Sequence, residues 1–396
     1  MLFLGMLYAW SIFVPPLSAQ FSTWTSPQMS LTFSISMILF CIGNIISGKL
    51  ATILSSRWLF LLAGGLLFAG FLGAAGSLSF ASPTSTLWGL YLFYGGCCGL
   101  GVGIGYNNLV GTLLRWFPDR VGVASGIMLM GFGLGGLVLG SAVTVFIEWV
   151  GLSHTFIGLA ICISLVLVIS ALCIRKPREN EVRNLPVQRK QLKASNSRRH
   201  AVQFTPSEML RTSAFWIFFL WLICVSSGGL IVINSAVPLA KSFGLFAGMG
   251  LVVSLFNGGG RIVHGAIFDK FGSPFAFICN SCMLLTAGII LFLAVKWDSS
   301  LLLLIGLPLI GLSFAGAPAI TSAAVNVFWG ARNFPANFGI TNCNLIPAAL
   351  LGPMVSSALL GQSGGDYSTT FMLIMGLGVI AIILSFLLIM QVKKIR

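Results

Sequence analysis

Asn257-Gly258-Gly259-Gly260-Arg261-Ile262-Val263-His264 lies inside an apolar run that extends from about residue 248 to residue 268. A run of this length crosses a bilayer, which takes about 20 apolar residues. Arg261 is its only charge and stands well inside it, away from either end. A guanidinium at membrane depth costs roughly 2.5–3.5 kcal/mol on insertion scales, and more by other estimates. Something has to offset that cost, and the reading adopted from the sequence is that an anionic substrate does so.

The surrounding chain has the composition of a membrane protein. Of 396 residues, 57% are hydrophobic and 8% charged, against about 25% charged in a soluble domain. Twelve apolar segments follow one another: 2–20, 29–54, 58–79, 86–114, 121–147, 154–174, 212–240, 247–268, 275–296, 300–328, 335–360 and 369–391. The fold predicted is all-α, with twelve transmembrane helices in two pseudo-repeated six-helix bundles. A polar stretch, 175–211, holds ten of the 22 Lys and Arg residues and divides the chain into bundles 1–174 and 212–396.

The charges orient the chain. With the termini and the polar stretch on one side, that side carries nineteen Lys and Arg and the other two, Lys241 and Lys296. The positive-inside rule makes the first side cytoplasmic and the protein a multi-pass component of the cell membrane. The formal charge of +14 is thereby accounted for as an orientation signal in contact with the lipid bilayer, which argues against nucleic acid as a partner. The eight acidic residues, Asp119, Glu148, Glu179, Glu181, Glu208, Asp269, Asp298 and Asp366, all fall in loops or at helix ends. The nine cysteines, nearly all within apolar runs, form no Cys/His cluster outside them and read as packing residues, so no metal or other cofactor is expected. The first run begins at Met1 without a basic flank, and a cytoplasmic N-terminal tail is expected to precede it.

The halves repeat each other. Gly48-Lys49-Leu50-Ala51-Thr52 at the end of the second run matches Gly265-Ala266-Ile267-Phe268-Asp269 at the end of the eighth at an offset of 217. Gly126-Ile127 matches Gly339-Ile340 at 213, and Pro16-Leu17 matches Pro238-Leu239 at 222. Near-equal offsets indicate two parallel repeats with a site near the midplane. With Gly265, Asp269, Lys270 and Gly272, the chain resembles the major facilitator superfamily. Within that superfamily it is similar to the oxalate:formate antiporter family, close to the monocarboxylate transporters. The residues that carry the likeness are Gly5-Met6-Leu7-Tyr8-Ala9-Trp10-Ser11-Ile12-Phe13, Gly101-Val102-Gly103-Ile104-Gly105-Tyr106, Arg115-Trp116-Phe117-Pro118-Asp119-Arg120, Asn257 to Arg261 and Asn337-Phe338-Gly339-Ile340. The resemblance implies two helical bundles rocking around a central anion site, with the eighth-helix Arg as carboxylate binder. Two departures stand out. Thr52 replaces the Asp usual in the first-half motif, and the eleventh run, reading Thr341-Asn342-Cys343-Asn344-Leu345, lacks the Lys of the oxalate-exchanging members.

The candidate substrate-binding residues are Arg261, Tyr8, Trp10, Tyr106, His264, Asn257, Ser11 and Asn342. A guanidinium holds a carboxylate through two parallel hydrogen bonds. One Arg neutralises one charge, so a monocarboxylate such as formate, pyruvate or lactate fits better than oxalate. His264 and Asn257 share the face of Arg261 at spacings of three and four. His264 either contacts substrate or carries a proton; the plainer reading is a neutral ring on a helix carbonyl. The polar-tipped aromatics and Ser11 line a cavity or, on the plainer reading, pack between helices. Asn342 is as readily an interhelical hydrogen bond as a ligand. Asp269, Lys270, Asp119 and Arg120 sit at cytoplasmic helix ends and read as gate ion pairs or as solvated surface pairs. Anion exchange by a monomer is the mechanism expected, since the membrane carboxylate that usually relays protons is missing. Proton-coupled symport is the alternative. A carboxylate receptor would bind without moving its ligand, and a membrane enzyme would need paired buried acids or a His/Cys cluster.

Overall fold

The computed structural model describes residues 1–118, 120–175, 177, 203–245, 249–363 and 366–395. Among them the secondary structure is helical. Eight continuous helical stretches are long and apolar enough to cross a membrane. Two of these double back at a glycine. Val121–Cys173 turns at Gly151, with φ 79° and ψ 169°, and Met249–Lys296 turns at Gly272, with φ 82° and ψ 170°. That backbone region is essentially closed to residues with a Cβ, so a single glycine serves as the whole connection between two helices.

Beside a five-residue helix at Pro206–Leu210, twelve longer helices result among the described residues. α1 is Trp10–Gln20, entered through a 3-10 turn at Phe3–Ala9. α2 is Ser26–Leu50 and α3 is Ser56–Ser77. α4 runs Pro83–Trp116 and widens to π-helix over Tyr91–Cys98. α5 (121–150) and α6 (152–173) flank Gly151. α7 is Ser213–Ser242. α8 (249–271) and α9 (273–296) flank Gly272. α10 is Ser300–Trp329. α11 is Phe334–Thr341, a 3-10 turn at Asn342–Asn344, then Leu345–Gln362. α12 is Ser368–Ile395. Of the polar stretch, 178–202 lies outside the described residues, whereas 203–211 docks on the end of α10. The Phe204 N–H donates to the Trp329 carbonyl at 3.0 Å, and Asn333 Nδ2 donates to the Phe204 carbonyl at 3.0 Å.

By contacts the chain forms two compact units that do not follow chain order. One contains Met1–Trp116, Leu134–Ser197 and Phe334–Cys343; the other contains Phe117–Gly133, Arg198–Asn333 and Asn344–Arg396. The first part of α5 thus packs with second-half helices and the first part of α11 with first-half helices. Division by contacts and division by sequence differ by these two half-helices.

Within the first unit, α2 and α4 approach to backbone contact. A Cβ on Gly43 would lie 2.5 Å from the Leu100 carbonyl oxygen, and one on Gly103 would strike the Phe40 carbonyl. Trp10, Phe13, Phe71, Tyr94 and Phe156 form an aromatic cluster beside this seam. Within the second unit, Trp221 Nε1 donates to Ser281 Oγ at 2.8 Å, and Ser281 in turn meets Ser385 at 2.9 Å, tying α7, α9 and α12 together. The outward faces are apolar at helical spacing. Ile161, Leu165, Val168, Ile169 and Leu172 on α6, and Val379, Ile380, Ile383, Phe386, Leu387 and Met390 on α12, are all exposed. Such stripes are far larger than a soluble monomer tolerates and are solvated by lipid.

The turn at Gly151 separates backbone strain from crowding, because a Cβ there meets no atom within 4 Å. Gly151→Ala is therefore expected to destabilise the protein by about 1–3 kcal/mol from φ alone. Gly158→Ala, within the apolar α6 and equally uncrowded, is expected to be neutral or to stabilise by about 0.5–1 kcal/mol. Thermal unfolding of the two variants in one detergent reads the contrast.

Candidate functional site

Arg261 lies on α8 at 2% exposure, among the largest fully enclosed side chains of the protein. Its surroundings are built largely by α5. Nη1 donates to the carbonyl oxygen of Leu129 at 2.8 Å, and the Phe132 ring centroid lies 6.0 Å from Cζ. A Cβ on Gly133 would come within 3.2 Å of Cζ and 3.3 Å of Nε. The guanidinium therefore occupies a slot that exists because residue 133 has no side chain.

The same two helices touch along their backbones toward the Asp269 end. A Cβ on Gly126 would lie 2.5 Å from the Arg261 carbonyl oxygen, and Gly122 and Gly265 face each other so closely that a Cβ on either would strike the other's carbonyl. Asp269 then closes the seam. Its Oδ1 accepts from the Gly122 N–H at 2.9 Å and its Oδ2 from the Val123 N–H at 2.8 Å. These are first-turn amides of α5, where orphan donors and the helix dipole both favour an anion. The two readings of Asp269 are a gate ion pair and a solvated surface pair; the partner found is a helix N-terminus. Lys270 lies with Nζ 5.2 Å from the Phe271 ring centroid. Arg120 is exposed and its carbonyl accepts from the Ala124 N–H at 2.9 Å, entering α5. Asp119 lies outside the described residues.

Two neighbours of Arg261 on α8 are also buried. His264 is fully enclosed, and its Nε2 lies 3.1 Å from the Leu312 carbonyl oxygen on α10. Donation to that carbonyl fixes the ring and suits the plainer of the two readings given to His264. Asn257, one turn before Arg261, is 6% exposed, and its Oδ1 has no hydrogen-bond partner among the described residues.

The remaining candidates belong to the other compact unit. The Trp10 indole N–H donates to the Met29 carbonyl at 2.9 Å, and the ring packs on Tyr94 with centroids 4.6 Å apart. Ser11 is exposed. Tyr8 belongs to the 3-10 turn, and its side chain lies outside the described residues. Tyr106 stacks on Phe338 of α11 at 6.0 Å and meets Phe40 edge-on at 5.3 Å. Asn342 Nδ2 donates to Asn44 Oδ1 at 3.2 Å, and Asn107 Nδ2 donates to the carbonyls of Asn44 at 2.7 Å and Pro335 at 2.8 Å. A buried amide network thus joins α2, α4 and α11. Thr52, in the Asp-equivalent position just after α2, donates to the Lys49 carbonyl in the last turn of α2 at 2.7 Å.

The sequence alone does not mark Leu129 or Asn44, and Gly133 stands in it only as part of a glycine-rich stretch, 131–136, without a partner. A backbone carbonyl carries no sequence signal. The available hint was the spacing of Gly122, Gly126 and Gly133 along α5, a smooth face onto which a neighbouring helix settles.

Comparison with known proteins agrees with this architecture. The chain is 27% identical over 272 residues to the oxalate:formate antiporter of Oxalobacter formigenes, an alignment covering 68% of this chain and 60% of the relative. It is 26% identical over 344 residues to the uncharacterized MFS-type transporter YhjX of Escherichia coli (strain K12), covering 85% of this chain and 80% of that one. The structure of the proton:xylose symporter XylE superposes with a TM-score of 0.79 at 15% identity, covering 96% of this chain and 92% of XylE, and so shares the fold. The Major Facilitator Superfamily profile matches residues 1–346, and the chain, a membrane transporter, belongs to that superfamily.

Proposed function

We propose that this transporter exchanges small carboxylate anions across the cell membrane by alternating access, with Arg261 as the anion anchor. The observation that carries the reading is a guanidinium enclosed at the middle of a membrane helix, in a slot shaped for it by a second helix. A cation kept at such depth despite its insertion cost has a function by default. The named activity of the Oxalobacter formigenes relative supports a carboxylate as its ligand.

Charge matching narrows the substrate. α11 holds no Lys or Arg between Phe334 and Gln362, and its Asn342 is engaged with Asn44. One Arg balances one carboxylate, which favours formate, pyruvate or lactate over oxalate. Exchange is favoured over proton symport because His264 is held on the Leu312 carbonyl and every acidic residue stands at a helix end or in a loop. The protein acts as a monomer, with linker and C-terminus in the cytoplasm. On that orientation the Asp269 cap on α5 is a cytoplasmic gate contact, which is made in one conformation and released in the other.

Two measurements test this. In proteoliposomes preloaded with formate, pyruvate, lactate or oxalate, uptake of the labelled anion is expected to require internal anion and to be insensitive to a pH gradient; uptake into empty vesicles driven by the gradient would establish symport. In the same assay Arg261→Gln is expected to abolish exchange and Arg261→Lys to reduce it on the order of 10–100-fold, the range for losing a hydrogen bond to a charged group. For the gate, Asp269→Asn keeps the shape and removes the charge. Hydrogen exchange of the amides at 121–126 is expected to speed up about two- to fivefold, as a helix-dipole interaction of about 0.3–1 kcal/mol is lost; unchanged exchange would rule the cap out as a closing contact.

A further inference from the structure

We propose that the Leu129 carbonyl is an internal ligand for Arg261 which substrate displaces, and that Gly133 is the positioning residue that makes this possible. The inference rests on reading Arg261 as the anion anchor of an exchanger, and it supplies the reason that exchange would be obligatory.

The carbonyl of residue 129 points along α5 toward the amide of residue 133. A helical side chain leans toward the N-terminus and covers the turn before its own Cα. A side chain at 133 would therefore cover the Leu129 carbonyl. With glycine there the carbonyl is open from the side, and Arg261 reaches it at 2.8 Å. The clearance is small, since a single methyl at 133 would sit 3.2 Å from Cζ and 3.2 Å from the Gly258 Cα. Phe132 adds its ring face at 6.0 Å from Cζ, an arrangement attractive to a cation.

The consequence concerns the empty carrier. A carbonyl dipole is a weaker partner for a guanidinium than a carboxylate, which makes shorter and stronger charge-assisted bonds. A bound carboxylate outcompetes Leu129 and frees Arg261 from α5. Without substrate, Arg261 stays bonded to α5, and separating α5 from α8 strips a buried cation of that ligand. Loaded carriers reorient and empty ones do not, which is exchange.

The test compares two fluxes in proteoliposomes, using labelled formate, pyruvate, lactate and oxalate in turn: uptake into vesicles holding the same anion, and net uptake into vesicles holding none. Gly133→Ala is expected to raise net uptake relative to exchange by about tenfold, the scale of one hydrogen bond to a charged group. Phe132→Leu, which removes only the ring face, is expected to shift the ratio the same way by less, and it decides the matter if Gly133→Ala fails to reach the membrane. Gly126→Ala crowds the Arg261 backbone without touching its guanidinium and is expected to lower both fluxes in proportion, as a purely structural lesion does. A ratio unchanged in Gly133→Ala and Phe132→Leu overturns the inference. If Arg261→Gln meanwhile abolishes exchange, the anchor reading survives and this inference alone is lost. If Arg261→Gln exchanges normally, or the wild type moves none of the four anions, the anchor reading fails and takes the inference with it.

Discussion

A charge in hydrocarbon has to find its solvation within the protein, because the bilayer core offers none. Arg261 meets that condition in part through the backbone of another helix, the Leu129 carbonyl. Backbone donors and acceptors are fixed in direction, so side-chain clearance decides whether they can be reached. Gly133 provides the clearance at the guanidinium, and Gly122, Gly126 and Gly265 bring the two helices close enough along the remaining seam. Position, burial and close approach of α5 to α8 are one arrangement, and a methyl group at any of these glycines disturbs it.

Much of this was legible in the sequence. Apolar runs mark helices because a bilayer admits few alternatives, and the twelve segments read from hydropathy correspond to the twelve helices within a few residues, except that the first segment opens on a 3-10 turn before α1. The depth of Arg261 was equally plain, since one charge in an apolar run of membrane length has nowhere else to be. The connections were less so. The polar residues between the fifth and sixth runs, and between the eighth and ninth, read as loops, whereas each connection is a single glycine at positive φ with helix on both sides. Hydropathy reports polarity, and a polar helix end resembles a loop in that measure.

Partners were the least legible. Asp269 carries a charge, and a charge invites the expectation of an opposite charge; its carboxylate accepts instead from two amides. Trp10 has a polar tip that suggested a ligand contact, but its indole N–H goes to the Met29 carbonyl. Asn44 escaped notice because an Asn in an apolar run has no spacing signature, although it meets both Asn107 and Asn342. In each case the partner is a main-chain group or an amide distant in sequence, and neither kind leaves a mark in composition or periodicity.

The amide network around Asn44 has a consequence when set beside the Asp269 cap. Both tie together helices from opposite halves of the chain, α2 to α11 in one case and α8 to α5 in the other. The cap is an anion on a helix dipole, and dissolved ions screen such an interaction. Asn107 on the Pro335 carbonyl and Asn342 on Asn44 are neutral and buried, so ionic strength leaves them nearly untouched. Thr52, opposite Asp269 in the repeat, donates to the Lys49 carbonyl and supplies no charge there. Raising the salt loosens one of the two fastenings and spares the other, so the two ties between helices of opposite halves answer differently to the same change of medium.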